Sequence, residues 1–339
     1  MWQKGIADMM DKIDSTFFTR CLLASCEIIN VLNTRHWLLY EDYGVGAGGD
    51  ESCGGDLIAE AIFAKYLTPF YSIDSEESGF IAARGSAPRG KIVLDPLDGS
   101  NNFKSNIPYF GASLALCDSD NIVKEGFIVN FAARKIVYSN ERLLKITQVP
   151  LTFSFGNLDS IPDLDSIKEL ESHLQGDEMA LRELLNNDKE SGDFKGLCKE
   201  IMAQSGDVDS TIFPTLFKSG FVRYENKTFS HKLNCGIFEK ASYHLDFAKE
   251  LLKQNLKFRS LGAGALSIGF SFESLFVILP TKVRKYDVLA GFFLAQNEIK
   301  TGNLSEYQKY IPNLRAVDSK YILITKDFDV VEKLRNVLT

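Results

Sequence analysis

The sequence predicts an α+β fold for the first half of the chain and an α/β layer for the second half. Apolar residues recur at helical spacing over residues 6–33, and short β-rich runs joined by tight polar turns follow residue 103. Strand and helix patterns then alternate from residue 240 onwards. At 339 residues and 45% hydrophobic composition, the chain can bury one large core or two adjoining half-domains.

Two helices are predicted near the start of the chain. The first is a long packing helix over residues 6–33, and the second covers residues 57–67. Residues 43–55, between them, contain so many glycines that no regular structure is expected there. Asp56 lies at or near the first turn of the second helix, where capping and the helix dipole are sufficient to explain an acidic side chain.

Most of the candidate functional side chains are concentrated in residues 91–103, which read KIVLDPLDGSNNF. The apolar run 92–94 is typical of a strand buried on both faces, and the following proline and glycine end it. Asp95 and Asp98 therefore emerge at the end of this strand. One interpretation is an ordinary acidic turn, and the other is a pair of oxygen ligands whose repulsion is offset by a divalent cation.

A second strand, predicted at residues 70–73, also leads into acids, namely Asp74, Glu76 and Glu77. Such acids usually belong to a solvated loop. If the two strands are neighbours, however, their acids meet at the same edge of the sheet and form an oxygen-rich pocket suited to Mg²⁺ or Ca²⁺.

The remaining elements follow in order. An antiparallel meander is predicted at 111–117, 122–131 and 135–139. Residues 157–209 are acidic and helical, which indicates a connection or insertion between the segments 1–156 and 210–339. Further helices are predicted at 240–253, 286–296 and 329–338, and further strands at 257–260, 275–279 and 321–325.

Composition excludes several classes of function. The net charge of −7 argues against a broad surface for nucleic acid or anionic membranes. No apolar stretch of 18 residues occurs, and acids stand near the start where a secretory signal would be apolar, so a cytoplasmic protein is predicted. Six scattered cysteines and four histidines lack zinc-ligand spacing, which favours free thiols.

Four segments resemble, in order, the inositol monophosphatase and fructose-1,6-bisphosphatase superfamily of Mg²⁺-dependent, lithium-sensitive phosphatases. They are DSEES at 74–78, DPLDGSNNF at 95–103, FRSLGAGALS at 258–267 and YDVLAG at 286–291. Together they favour the metal site over the acidic turn. The resemblance implies a layered αβαβα sandwich of the sugar-phosphatase type, a homodimer and a small phosphorylated metabolite as the substrate.

The resemblance also implies roles for individual residues. The implied ligands of two to three Mg²⁺ ions are Glu76, Asp95, Asp98, Asp287, Asp56 and the backbone carbonyl of Leu97. The implied catalytic residues are Asp56 and Ser100, which would orient the attacking water, together with Glu76. The implied substrate-binding residues are Gly99, Ser100, Gly262, Ala263, Gly264 and Asp287. Asp50 is a further candidate for the outer metal region.

Two alternatives stay open at the glycines and at a basic pair. Residues 262–264 open a helix after a strand, which suits either an anion or close helix packing. Arg284 and Lys285 are either a solvated turn or contacts for a second phosphate. Pro280 stands where inositol phosphatases carry a glutamate that binds the sugar hydroxyls, so an inositol phosphate is not favoured.

The leading hypothesis is a Mg²⁺-dependent phosphatase that hydrolyses a small phosphate monoester with metal-activated water. The substrate would be an inositol phosphate-like compound, a sugar phosphate or a sugar bisphosphate. One alternative is a 3′(2′),5′-bisphosphate nucleotidase. A non-catalytic relative that binds metal or ligand is another, but the chain retains every implied metal-binding acid.

Overall fold

The computed structural model describes residues 16–140, 143–148, 194–204 and 233–338. The helices there are α1 (Thr16–Asn33), α2 (Gly54–Leu67), α3 (Ser100–Lys104), α4 (Phe194–Ala203), α5 (Leu245–Lys253), α6 (Gly264–Gly269), α7 (Lys285–Ala295) and α8 (Phe328–Leu338). None of these helices combines the length and apolar composition needed to cross a bilayer.

The strands come in two groups. Those of the first half are β1 (Asp42–Val45), β2 (Glu51–Cys53), β3 (Ser72–Ser75), β4 (Gly79–Ile81), β5 (Lys91–Asp98), β6 (Gly111–Cys117), β7 (Val123–Asn130), β8 (Lys135–Asn140) and β9 (Leu143–Gln148). Those of the second half are β10 (Gly236–Phe238), β11 (Phe258–Arg259), β12 (Val277–Pro280), β13 (Ile299–Thr301) and β14 (Tyr321–Ile324).

Among the described residues, the larger sheet has seven strands in the order β4-β3-β5-β6-β7-β8-β9. Strands β3 and β5 are parallel neighbours, with Ser75 opposite Leu94, and the remaining pairs are antiparallel. The chain therefore leaves β3 and β5 at the same edge of the sheet. This pairing brings the two predicted acidic segments together.

The smaller sheet has five strands in the order β11-β10-β12-β14-β13, and it packs against the larger one through helices. Helices α1, α2 and α4 cover one face of the larger sheet. Helices α6 and α7 fill the space between the two sheets, and α5 and α8 cover the outer face of the smaller sheet. The result is a layered αβαβα sandwich, as the resemblance implied.

Residues 92–94 of β5 are continuously apolar because the strand is buried on both faces there. Ile92 and Leu94 belong to the core under α1 and α2, whereas Val93 belongs to the core between the sheets. Because alternate side chains point to opposite faces of a strand, a strand buried on both faces has no position for a polar residue. The prediction of a strand buried on both faces is confirmed. The expectation that Pro96 ends the strand is wrong, because β5 continues through Pro96 to Asp98, with an irregular register against β6 between Asp95 and Asp98.

Several predicted elements differ from the observed ones. The glycine-rich segment 43–55 was expected to be irregular, but it contains the antiparallel ribbon β1–β2, and Gly44 and Gly49 have positive φ values of 99° and 94°. Positive φ is the conformation that glycine adopts without steric strain. Strands β10 and β13 were not predicted, because three residues are too few to give a recognisable pattern.

The start of the first predicted helix, residues 6–15, and most of the proposed insertion 157–209 lie outside the described residues. Helix α4 is the described part of that segment, and it packs against the same core as α1 and α2. The proposed division of the chain into three segments stays a prediction. All six cysteines are free thiols, as predicted.

A buried ion pair holds α1 against α2, the helix that carries Asp56. Lys65 Nζ lies 3.1 Å from both carboxylate oxygens of Glu27, and the Tyr66 hydroxyl donates to Glu27 Oε2 over 2.7 Å. Both charged side chains are almost fully buried, with 7% and 8% of their surfaces exposed. Neither charge can be removed alone without leaving the other uncompensated.

We expect Lys65→Met to lower the free energy of unfolding by about 3–5 kcal/mol, because Glu27 would be left as an unpaired buried charge. Urea denaturation measures this change. The double variant Glu27→Gln/Lys65→Met should recover most of the loss, since the amide oxygen still accepts from Tyr66. A double variant as unstable as the single one would contradict this explanation.

Candidate active site

The candidate site forms where β3, β5 and α7 meet. Glu76 follows β3, Asp95 lies in β5 and Asp287 lies in the first turn of α7. The backbone N–H of Glu76 donates to the Leu94 carbonyl over 3.0 Å, which extends the parallel pairing into the acidic segment. As a result, carboxylate oxygens of the three residues lie within 4.8 Å of one another.

Asp98 joins this group from the end of β5 and ties it to α6. It is 9% exposed, and its Oδ2 accepts from the backbone N–H of Leu266 over 2.9 Å. The backbone N–H of Leu97 donates to Asp95 Oδ1 over 3.1 Å and fixes the turn between the two aspartates. The motif therefore positions its two carboxylates through backbone contacts as well as through strand pairing.

The glycine-rich ribbon lies over the acidic segment that follows β3. The N–H groups of Gly48 and Ala47 donate to the carbonyls of Glu76 and Glu77 over 2.6 and 2.9 Å. A Cβ atom on Gly48 would lie 2.5 Å from Cγ of Glu76, closer than two carbon atoms approach. Glycine is therefore required at this position for the ribbon to contact Glu76.

Arg284 inserts its guanidinium among these acids. Its Nη1 lies 2.5 Å from Glu76 Oε1 and 2.7 Å from Asp50 Oδ2, while Nη2 and Nε contact the two carboxylate oxygens of Asp287 at 3.0 and 3.2 Å. Lys285 forms an ion pair with Asp74 instead. Both members of the basic pair are thus paired with acids. Asp50 is linked to Glu76 and Asp287 only indirectly, because Arg284 contacts all three.

Burial strongly affects the acid–base behaviour of this group. Burial raises the pKa of Glu76 to about 8 although Arg284 lowers it, and burial followed by repulsion from Asp287 raises the pKa of Asp98 to about 8. Burial and the neighbouring Glu76 raise the pKa of Asp95 well above its ordinary value. The chain's own cation therefore offsets only part of the cost of ionising these acids.

The site fits a divalent cation. It offers several carboxylate oxygens, which are hard ligands of the kind that Mg²⁺ prefers. Ser113, opposite Asp95 in the β5–β6 register, has a buried hydroxyl without a hydrogen-bond partner among the described residues. A polar group of this kind can bind water held near the acids. Sequence analysis missed Ser113, whose only signal is a hydroxyl within an apolar strand.

Asp56 lies beside the motif at the start of α2. Its Oδ2 accepts from the backbone N–H of Cys53 over 2.7 Å, which confirms the predicted capping role. Burial raises its pKa to about 6, and hydrogen bonds from Cys53 oppose the shift. A Cβ atom on Gly55 would lie 2.9 Å from the Phe103 ring and 3.0 Å from Leu97, so glycine lets this helix end approach the motif closely.

Two short helices begin side by side next to the acids. Gly99, with φ 82° and ψ 36°, precedes α3, and Ala263 precedes α6. A Cβ atom on Gly99 would lie 3.0 Å from Cβ of Ala263, and Asn102 links the two segments by donating to the carbonyls of Tyr109 and Leu261 over 2.8 and 2.7 Å. The N–H groups of Asn102 and Phe103 donate to the Gly99 carbonyl, so those of Ser100 and Asn101 are the ones suited to an anion.

The predicted substrate-binding segment 262–264 is held by an acid that sequence analysis missed. The N–H of Gly262 donates to Glu239 Oε2 over 2.8 Å, and Ser267 donates to Glu239 Oε1 over 2.5 Å. The N–H of Gly262 is therefore already bonded to Glu239 and is not available to a substrate. Ala263 and Gly264 lie at the start of α6. Glu239 directly follows the short strand β10, which the sequence pattern did not predict.

Parts of the chain are similar to curated phosphatases. Segments of 77 and 108 residues are 39% and 33% identical to the fructose-1,6-bisphosphatase/inositol-1-monophosphatases of Thermococcus kodakarensis and Methanothermobacter thermautotrophicus. These segments cover 22% and 28% of this chain and only 29% and 39% of the two relatives. No family model matches the chain.

The whole fold is similar to solved structures at low identity. The Thermotoga maritima IMPase aligns with a TM-score of 0.52 at 15% identity, over 96% of this chain and 98% of that one. The Leishmania major fructose-1,6-bisphosphatase aligns with a TM-score of 0.54 at 13% identity, over 87% of this chain and 86% of that one. These alignments show that the chain shares the fold of these two phosphatases.

Pro280, which the sequence resemblance aligns with a sugar-binding glutamate, is the last residue of β12 and pairs with Tyr321. Proline has neither a backbone N–H nor a polar side chain, so this position cannot bind a hydroxyl through its side chain.

We expect the metal-free protein to become less stable as pH rises from about 4 to about 8. Glu76 and Asp98 have pKa values near 8 in the folded chain against ordinary values of 4.5 and 3.8, so the folded state binds more protons in this window and loses that advantage as pH rises. Melting temperatures measured in EDTA across this pH range test the expectation. A melting temperature that rises steadily from pH 5 to pH 8 would contradict it.

We expect Arg284→Met to bind Mg²⁺ about tenfold more tightly than the natural chain, because the cation would no longer compete with the guanidinium for Glu76 and Asp287. Isothermal titration calorimetry measures the affinity. Arg315→Met is the matched control, since within the described part of the chain its guanidinium bonds only carbonyls of its own turn. Equal or weaker Mg²⁺ binding by Arg284→Met would refute the competition.

Proposed function

We propose that this chain is a Mg²⁺-dependent phosphatase that hydrolyses a small phosphate monoester. The observation that carries the proposal is the convergence of Glu76, Asp95 and Asp287, whose carboxylate oxygens lie within 4.8 Å of one another. These acids lie beside the helix start at Gly99 and Ser100. A group of metal ligands close to a helix N-terminus that can bind phosphate suits phosphoester hydrolysis.

The acids would hold the metal. Glu76, Asp95, Asp98, Asp287 and the Leu97 carbonyl are the proposed ligands of two Mg²⁺ ions, and Asp56 is the proposed ligand of a third. When bound, the ions would neutralise the ester dianion, lower the pKa of water and stabilise the leaving alkoxide. No covalent nucleophile is required of the protein.

The remaining roles fall to groups at two helix starts. The N–H groups of Gly99 and Ser100 would bind the phosphate oxygens, since anions are stabilised at a helix N-terminus. The Ser100 hydroxyl would orient the attacking water. It would accept a proton from that water and donate its own proton to Asp56. The pKa of Asp56, raised to about 6, suits a carboxylate that accepts a proton near neutral pH.

The substrate would be a small phosphorylated metabolite, such as a sugar phosphate or sugar bisphosphate. The curated relatives named above carry names for both sugar bisphosphate and inositol phosphate hydrolysis. Pro280 removes the expected acidic contact with polyol hydroxyls, which favours substrates recognised in another way. The homodimer and the cytoplasmic location stay predictions.

A phosphate-release assay tests the proposal with inositol 1-phosphate, fructose 1,6-bisphosphate and adenosine 3′,5′-bisphosphate in Mg²⁺ buffer. We expect hydrolysis that EDTA abolishes. Asp95→Asn and Asp287→Asn should each lower kcat/KM by at least about a hundredfold, because losing a metal ligand removes several kcal/mol of transition-state stabilisation.

Asp246→Asn is the matched control, since its side chain is fully exposed on α5, away from the acids. Its activity should equal that of the natural chain. Circular dichroism and Mg²⁺ calorimetry separate loss of activity from loss of folding or of metal. A folded, Mg²⁺-binding protein that hydrolyses none of a broad panel of phosphoesters would refute the phosphatase proposal.

A further inference from the structure

A second cavity lies next to the motif, between the end of α1, the segment after α3 and the turn between β7 and β8. Its volume is about 270 Å³. None of its lining residues belongs to the acidic cluster or to the helix starts proposed for phosphate. One wall is Phe103 of α3, the helix that begins at Ser100.

Four of the twelve residues that line this cavity are aromatic. The rings of Tyr40 and Phe103 stack with centroids 5.0 Å apart and planes 12° apart, and Phe110 meets Phe103 edge to face at 5.3 Å. Phe131 also lines the cavity and is 3% exposed. Flat, rigid rings of this kind suit a planar apolar group, which they can contact over a large area.

The charged residues that line the cavity are both positive. Arg35 and Arg134 lie on two different loops, and no carboxylate lines the cavity. Among the described residues, neither guanidinium forms an ion pair with an acid, whereas Arg284, Lys285 and Lys65 all do. Other arginines without an ion pair, such as Arg84 and Arg315, donate to backbone carbonyls, whereas the guanidiniums of Arg35 and Arg134 have no hydrogen-bond partner among the described residues.

Both arginines also adopt a backbone conformation that is unfavourable for them. Their φ values are 50° and 54°, and a third lining residue, Asn106, has a φ of 57°. Left-handed backbone costs a residue such as arginine about 1–2 kcal/mol. Strain of this kind concentrates at binding sites, because selection for function maintains it there.

We propose that this cavity binds a small organic anion that carries a flat ring, namely an aryl or heteroaryl phosphate or phosphonate. Arg35 and Arg134 bind the anionic group, because planar guanidinium groups pair well with phosphate oxygens. The rings of Tyr40, Phe103 and Phe110 contact the flat ring. The volume of about 270 Å³ lies slightly below the usual range for ligand pockets, about 300–1,000 Å³, and so suits only a small molecule.

Phenylphosphonate is a suitable probe, since its carbon–phosphorus bond is not a phosphoester and the proposed catalytic site cannot hydrolyse it. Calorimetric titration in EDTA keeps metal ions from recruiting the probe to the acids. We expect saturable binding that Arg35→Gln and Arg134→Gln each weaken about tenfold. Arg335→Gln, on α8 in the outer helical layer, is the matched control and should bind as the natural chain does.

Two further outcomes test the proposal. Asp95→Asn should leave phenylphosphonate binding unchanged, because the acid is outside the cavity. Methylphosphonate should bind at least about fivefold more weakly, since it lacks the ring. The proposal is overturned if folded natural protein shows no saturable binding, if neither arginine variant weakens binding, or if methylphosphonate binds equally well. The result is independent of the phosphatase assay.

Discussion

Repulsion between buried carboxylates is the interaction on which the candidate site depends. Oxygens of Glu76, Asp95 and Asp287 lie within 4.8 Å of one another, and burial removes the water that would otherwise screen their charges. Such a group persists only if the fold enforces it and bound protons or a cation relieve the repulsion. The parallel pairing of β3 with β5 and the first turn of α7 enforce it. Arg284 offsets it in part, and a divalent cation would do so fully.

Glycines let backbone segments approach this acidic group closely. Gly48 lets the β1–β2 ribbon lie on Glu76, and Gly55 lets α2 reach the motif. Gly99 adopts positive φ and brings the start of α3 against the start of α6. The shape of the site therefore depends on how closely these backbone segments approach the acids as much as on the acidic side chains themselves. Any side chain at these three positions would separate segments that the acids need close together.

The short helix α3 lies between the proposed catalytic site and the second cavity. Its first residue, Ser100, is proposed to contact the phosphate, and Phe103 forms a wall of the cavity. A ligand that pushes on the Phe103 ring would act on a helix of five residues, which has little length to absorb a displacement. The two places therefore share one short helix.

The sequence by itself determined the acid-bearing motif, the strand buried on both faces and the order of most elements, because these depend on local pattern. Only the tertiary structure decided which strands pair and which charges meet. Arg284 and Asp50 are 234 positions apart in sequence, and Glu239 and Gly262 are 23 positions apart. The local sequence pattern predicts neither contact. Contacts of this kind arise from packing, which a local pattern does not encode.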